Sequence, residues 1–164
     1  MGKRILFILK KREQNPYSCG DWNSPYAKNQ STGLFNSVSF IRIMYEKYIK
    51  RDTVDVVEVQ DNNSIDREVT KFKPDVVVIE ALWCVPEKFH ILHKLHPKVA
   101  WVIRLHSETP FLANEGIAFE WLRKYTKMPK VYIGGNSPRI VHELRKVLGV
   151  RVMYLPNYYA GGCL

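Results

Sequence analysis

The sequence predicts an α/β protein in which a parallel sheet of about six strands is covered by helices on both faces, a Rossmann-like doubly wound arrangement. Six short aliphatic, β-branched runs alternate with segments whose apolar residues recur every three or four positions. Several runs are apolar throughout, which is typical of strands buried on both faces of a parallel sheet. The length of 164 residues fits one domain.

The first strand is predicted at residues 4–9, an uninterrupted apolar run. Pro74 ends the helix before the third strand, because proline disfavours helical geometry at the residue that precedes it. Arg151 in the last strand predicts an edge position or a half-exposed face. The five later strands are predicted at residues 54–59, 76–79, 99–103, 131–133 and 150–155.

The first helix follows Gly33 and shows the clearest amphipathic spacing. Its apolar residues lie four, three, four and three positions apart and predict one stripe against the sheet: Leu34, Val38, Ile41, Tyr45 and Tyr48. Ser137 and Pro138 predict the start of the last helix as N-cap and first residue, and Gly149 predicts its end. Helices are also predicted at residues 65–72, 86–96 and 114–128.

The composition indicates the cellular compartment in which the protein is expected. No segment approaches the about 20 apolar residues that span a bilayer, and the short apolar run after the basic N-terminus lacks a cleavage site. The three cysteines are odd in number and lack the spacing of a metal site, which favours free thiols in a reducing compartment. We therefore expect a cytoplasmic protein, with peripheral membrane contact as a further option. The net charge of +9 indicates an anionic partner.

The strongest candidate site follows the fourth strand. Arg104, His106, Ser107 and Glu108 lie at or just beyond its carboxyl end, where open α/β sheets bind ligands. A histidine beside a guanidinium, a hydroxyl and a carboxylate is the best active-site candidate in the chain. The alternative interpretation is that His106 caps the strand and Arg104 is a solvated end residue.

A basic crevice is expected at the same edge. In the strand order 3-2-1-4-5-6, the long loop after the first strand faces the His106 segment, and Lys10 and Lys11 face Arg104. The helix N-termini at Gly33 and at Asn136-Ser137, with Arg139 in the first turn, add partial or full positive charge. These residues predict an anion site; the alternative is that such basic residues are solvated.

Several common chemistries lack their motifs. The first strand is followed by Lys10-Lys11-Arg12-Glu13, without the Gly-x-Gly-x-x-Gly of dinucleotide sites, and neither a Walker A sequence nor a Gly-x-Ser-x-Gly elbow occurs. His90, His93 and His96 lie three apart, so the first and third are badly placed for one metal ion. They are expected on a solvated helix face, and no metal site is predicted.

Four features, in order along the chain, carry a resemblance to a known family. These features are a long loop ending at Gly33, Lys73-Pro74-Asp75-Val76-Val77-Val78, a strand ending at His106, and Tyr154-Leu155-Pro156-Asn157. Together they resemble the N-terminal domain of a GT-B glycosyltransferase of the retaining, glycogen- and sucrose-synthase-like kind. The resemblance covers nearly the full length.

The resemblance implies a hexosyltransferase that uses a nucleotide-sugar donor, a glycan or other acceptor, no cofactor and no metal ion. Residues 1–157 would be the acceptor-side domain and 158–164 a tail or the start of a linker. Since the donor-binding second domain is not present, the isolated chain is expected to be inactive.

The resemblance also implies roles for individual residues. His106 would contact the transferred sugar, and Glu108 would act as acid or base. Arg104, Lys10 and Lys11 would face the donor phosphates or an anionic acceptor, while Trp22 in the long loop would shape acceptor binding.

The alternative function is a non-catalytic Rossmann-like module that binds an anionic ligand, nucleic acid or a protein partner. Nucleic acid is not expected as a partner, because only net charge and scattered aromatic residues support it. A C-terminal domain on a partner chain would complete the enzyme in the main hypothesis.

Overall fold

The fold is a six-stranded, fully parallel sheet with helices on both faces. The computed structural model describes residues 1–11, 32–114 and 116–158. The strands are β1 (Arg4–Lys10), β2 (Thr53–Val59), β3 (Val76–Glu80), β4 (Ala100–Leu105), β5 (Val131–Gly135) and β6 (Val152–Tyr154). The predicted doubly wound α/β class is confirmed.

Six α-helices connect the strands: α1 (Thr32–Met44), α2 (Ile65–Phe72), α3 (Lys88–Leu95), α4 (Thr109–Asn114), α5 (Ala118–Thr126) and α6 (Pro138–Leu148). A π-helical turn at Tyr45–Ile49 continues α1. The helix predicted at 114–128 is α5, which is shorter at both ends, and α4 ends where the predicted helix was expected to begin. The sequence did not indicate α4, a single short turn after the His106 segment.

The strand order is β2-β1-β3-β4-β5-β6, which corrects the order 3-2-1-4-5-6 used above. β3 lies between β1 and β4, so the topological switch point falls between β1 and β3 and not between β1 and β4. The physical reason is burial. β3 is apolar on both faces and needs two neighbours, whereas β2 carries Asp55 and Glu58 and tolerates the edge.

The two faces of the sheet are covered unequally. Leu6, Ile79 and Ile103 belong to a large core that also contains the buried residues of α2, α3, α5 and α6. Phe7, Val78 and Val102 point to the opposite face, where Val38 of α1 is the one buried helical residue in the described core. A mainly apolar groove of about 470 Å³ remains beside α1.

Two details of the helices differ from the expected apolar stripes. Tyr48 is largely exposed, because the helix changes to the π-helical turn before it reaches this residue. Leu95, at the end of α3, is also exposed. Val38, in contrast, is fully buried as predicted.

Candidate functional site

The carboxyl ends of β1, β3 and β4 surround a cleft of about 620 Å³, called the carboxyl-edge cleft below. It lies at the switch point between β1 and β3, where open α/β sheets bind ligands. Its polar lining comes from residues at the ends of β1, β2, β3 and β4 and its apolar lining from residues around them. The full lining is Leu9, Lys10, Lys11, Leu34, Gln60, Glu80, Ala81, Leu82, Trp83, Leu105, His106, Ser107 and Leu112.

A buried carboxylate forms the centre of the cleft floor. Glu80 ends β3 and is almost fully buried. Its Oε1 accepts a hydrogen bond from Nη1 of Arg104 at 3.0 Å, and its Oε2 is hydrogen-bonded to Nε2 of His106. The parallel register places Glu80 opposite Arg104, which explains why these two side chains meet. Sequence reasoning missed Glu80, although a carboxylate that ends an apolar strand at this edge is a signal.

Arg104 does not face the cleft as a free cation. Besides Glu80, its guanidinium donates to the carbonyl oxygens of Leu155 and Pro156 at 3.1 and 2.7 Å, and to Oδ1 of Asn157 at 2.8 Å. The chain's own acceptors therefore occupy this side chain. It holds the segment after β6 against the sheet, and we do not carry it into the proposed ligand site.

His106 has one ring nitrogen available. Its side chain is 12% exposed, and the bond to Glu80 occupies Nε2. Nδ1 is buried and has no hydrogen-bond partner among the residues that the structure describes. A neutral ring would accept a hydrogen bond there and a protonated ring would donate one. Ser107 follows in the cleft wall, as predicted.

The loop after β3 forms the opposite wall of the cleft. Ala81 adopts a left-handed backbone conformation with φ of 72°, and its N–H donates to the carbonyl oxygen of Arg104 at 2.9 Å. Nε1 of Trp83 donates to the carbonyl oxygen of Glu80 at 2.7 Å. Nothing in the sequence beyond the position after a strand indicates these two residues.

Lys10 and Lys11 lie at the rim of the cleft. Both are exposed, and the backbone N–H of Lys11 donates to the carbonyl oxygen of Val59 at 2.7 Å. Neither lysine has an ion-pair partner within the described parts of the chain. The cleft thus combines a paired charge at its floor with two cations at its mouth.

Glu108, Ser137 and Arg139 form a separate group between α4 and α6. Oγ of Ser137 donates to Oε1 of Glu108 at 3.0 Å and accepts from the N–H of Ile140, which makes it the predicted N-cap. Arg139 pairs with Glu143 at 3.0 Å. The hydroxyl of Thr109, and then Arg139, hold the pKa of Glu143 below its ordinary value.

This second group is not part of the cleft lining. Asn136 precedes it and is half-buried. Gly33 lies in the first turn of α1, next to the cleft residue Leu34. Trp22 lies outside the described residues, as does Arg12. The structure therefore brings together Lys10, Lys11, His106 and Ser107, and it places Glu108 with Ser137 and Arg139.

The three histidines of α3 and its cap do not share a ligand. His90 is exposed, the ring of His93 packs against Phe89 at 5.9 Å between centroids, and Nε2 of His96 lies 2.6 Å from Oδ1 of Asp66. Across residues 1–11, 32–114 and 116–158, no group of three His, Cys, Asp or Glu residues could hold a metal ion.

The sequence matches no known protein family and no curated protein. The structure is similar to the crystal structure of a LuxR-family two-component response regulator from Aurantimonas sp. SI85-9A1, with a TM-score of 0.45 and 16% identity. The match covers 93% of this chain and 90% of that chain.

This finding corrects the family expectation. The prediction of a GT-B domain with nucleotide-sugar and glycan partners is wrong: no glycosyltransferase family model matches the sequence, and the similar structure is that of a response regulator. Two of the residues that suggested it make structural contacts: Oδ1 of Asn157 accepts from Arg104 at 2.8 Å, and Asp75 accepts from the N–H of Arg4 at 2.8 Å.

The lengths and polarity of the helices bear on the expectation that no segment spans a membrane. Within the described ranges, every helix is too short or too polar to cross a lipid bilayer.

Proposed function

We propose that this chain is a ligand-binding module that holds a small molecule with an anionic group in the carboxyl-edge cleft. The observation that carries the proposal is a cleft at the carboxyl ends of the strands whose mouth holds two exposed cations, Lys10 and Lys11. His106 and Ser107 in the same lining supply polar groups that can hydrogen-bond to a ligand.

The charge balance supports an anion. Glu80 is the acidic residue of the cleft lining, and Arg104 pairs with it at the floor. Lys10 and Lys11 then leave the mouth of the cleft positive. Because both lysines are exposed, added salt should weaken their attraction for an anion.

The shape and lining support a ligand with an apolar, planar part. The volume of about 620 Å³ falls among those of small-molecule sites, which are about 300–1,000 Å³. Leu34, Leu82, Trp83 and Leu112 supply apolar surface beside the lysines. An aromatic phosphate combines the two properties: its ring fits the apolar wall and its dianion fits the lysine mouth.

The test is calorimetric titration of phenyl phosphate into the protein, with benzyl alcohol as the neutral comparison. We expect phenyl phosphate to bind and benzyl alcohol to bind at least tenfold more weakly. The Lys10→Gln/Lys11→Gln variant should weaken phenyl phosphate binding at least tenfold, and Ser107→Ala should weaken it several-fold.

A charge-matched control is Arg67→Gln/Lys88→Gln, which removes two positive charges outside the cleft lining. This control should bind phenyl phosphate as the unchanged protein does. Equal binding of the neutral compound, or unchanged binding by the Lys10→Gln/Lys11→Gln variant, would overturn the proposal.

A further inference from the structure

The opposite edge of the sheet carries a row of cations. All six strands are parallel, so they all begin at one edge, and a Lys or Arg lies one to three residues before each of them. In spatial order from β2 to β6 these residues are Lys50, Lys3, Lys73, Lys98, Lys130 and Arg151, called the basic row below. All six are exposed.

The basic row is nearly free of compensating charge. None of its six residues forms an ion pair within the part of the chain that the structure describes. The carboxylates of Asp52 and Asp75 lie at this edge, but each accepts a hydrogen bond from a backbone N–H of β1 or of the residue before it, at 2.8 Å. Both carboxylates keep their negative charge, and Asp52 also lies 3.4 Å from Nε of Arg51, so the edge presents six row cations beside two carboxylates and is positive overall.

Three members of the basic row occupy positions where the backbone favours a different residue. Lys50, Lys73 and Lys130 have φ of 53°, 53° and 56°, in the left-handed region that glycine adopts without steric cost. Lys50 and Lys73 are helix C-caps, where a cation also complements the helix dipole. Lys130 directly precedes β5 and caps no helix; its Nζ donates to the carbonyl oxygen of Pro97 at 2.8 Å.

We propose that the basic row binds the phosphate backbone of a nucleic acid duplex without sequence preference. Neighbouring strands lie about 4.8 Å apart, so six strand starts extend over about 24 Å. A duplex strand presents about seven phosphates over that length, at about 3.4 Å each. The sequence alone showed only net charge; the parallel topology turns that charge into a row.

Features around the basic row favour a duplex over other polyanions. Single-stranded nucleic acid is usually bound by aromatic side chains that stack on bases, whereas Phe72 at this edge is covered by the guanidinium of Arg4, 4.4 Å from the ring centroid. Contacts would therefore be made to phosphates, which carry no sequence information.

The test is fluorescence anisotropy with a labelled 20-base-pair DNA duplex of mixed sequence, titrated at several salt concentrations. Six phosphate contacts predict a slope of log K against log salt of about −5. The informative variant is Lys50→Gly/Lys73→Gly/Lys130→Gly, because glycine suits the left-handed conformation while the charge is lost. It should keep or raise Tm, weaken duplex binding at least tenfold and reduce the slope by about 3.

The matched control removes three positive charges elsewhere, as Arg67→Gln/Lys88→Gln/Arg139→Gln, and should leave duplex affinity within twofold. Equal loss in this control would mean that only net charge matters, and would overturn the proposal. So would unchanged binding by the triple glycine variant, tighter binding to the single strand than to the duplex, or binding to phosphatidylserine vesicles but not to the duplex. The carboxyl-edge cleft is tested by other residues, so either proposal can fail alone.

Discussion

Nη1 of Arg104 lies 3.0 Å from Oε1 of Glu80, and the two side chains are 1% and 0% exposed. This ion pair joins neighbouring strands in the middle of the sheet. Through Glu80 it reaches His106 in the carboxyl-edge cleft, and through the remaining guanidinium donors it reaches the segment after β6. One buried arginine therefore connects the cleft floor with the end of the described chain.

Replacement of Arg104 by methionine should strongly destabilise the protein. The substitution leaves the Glu80 carboxylate buried without its cation, and loss of one partner of a buried pair costs about 3–5 kcal/mol. It also removes the donor to the carbonyl oxygens of Leu155 and Pro156. The free energy of unfolding in urea measures the loss.

The double variant Arg104→Met/Glu80→Leu distinguishes the cost of an unpaired buried charge from the loss of the other contacts of Arg104. With both charges removed, no uncompensated ion remains, and much of the stability lost in Arg104→Met should return. A single variant that loses less than about 1 kcal/mol would contradict the buried pair as described.

Alanine at Gly135 should also destabilise the protein, by packing and not by charge. A Cβ at this position would lie 2.7 Å from Cγ2 of Ile140 and 3.1 Å from Cγ2 of Val141, both buried on α6. Overpacking of this kind costs about 1–3 kcal/mol. Thermal unfolding of Gly135→Ala measures it.

Gly116→Ala is the control for that substitution, because no heavy atom of the residues that the structure describes lies within 4 Å of its added Cβ. Its stability should stay within about 0.5 kcal/mol of the unchanged protein. Equal stability of the two alanine variants would mean that α6 does not approach β5 as closely as the structure has it.

The fold class could be predicted because strands buried on both faces require continuous apolar runs, which are visible in the sequence. Continuous apolar runs marked the strands, and Ser137 and Gly149 marked the ends of α6. The strand order was predicted incorrectly because no periodicity records which strands are neighbours. The contrast between the apolar β3 and the polar positions Asp55 and Glu58 of β2 nevertheless pointed to an inner and an edge strand.

The site was only partly predictable for a related reason. Position after β4 was enough to predict that His106 and Ser107 lie at the carboxyl edge, because all carboxyl ends of a parallel sheet meet there. Whether a cation is free or paired depends on contacts distant in the chain. Arg104 bonds to residues 24 and 51 to 53 positions away, which no local pattern indicates.

The thiol of Cys84 should react slowly in the folded protein. Burial raises its pKa to about 12, and the thiolate is the reactive form. In a Cys19→Ser/Cys163→Ser background, where Cys84 is the one remaining cysteine, a disulfide reagent at pH 8 should label it at least a hundredfold more slowly than in denaturant. Rapid labelling of the folded protein would contradict the burial of this side chain.

The free energy of unfolding should decrease on acidification, and part of the decrease should come from protonation of His93. Burial, followed by the nearby charges of His90 and Lys130, lowers the pKa of His93 below its ordinary 6.5 in the folded state. The unfolded chain therefore binds a proton at a higher pH than the folded chain does. By linkage, the contribution of His93 is fully present above about pH 6.5 and is progressively lost as the pH falls below that value.

The variant His93→Gln removes this titration and keeps a polar side chain of similar length. Between pH 7.5 and 5, its free energy of unfolding should decrease less steeply than that of the unchanged protein, and the two curves should converge towards low pH. Chemical denaturation at closely spaced pH values provides the measurement. Parallel curves across the window would show that His93 takes up its proton equally well in both states, and the described burial of its Nε2 would then be wrong.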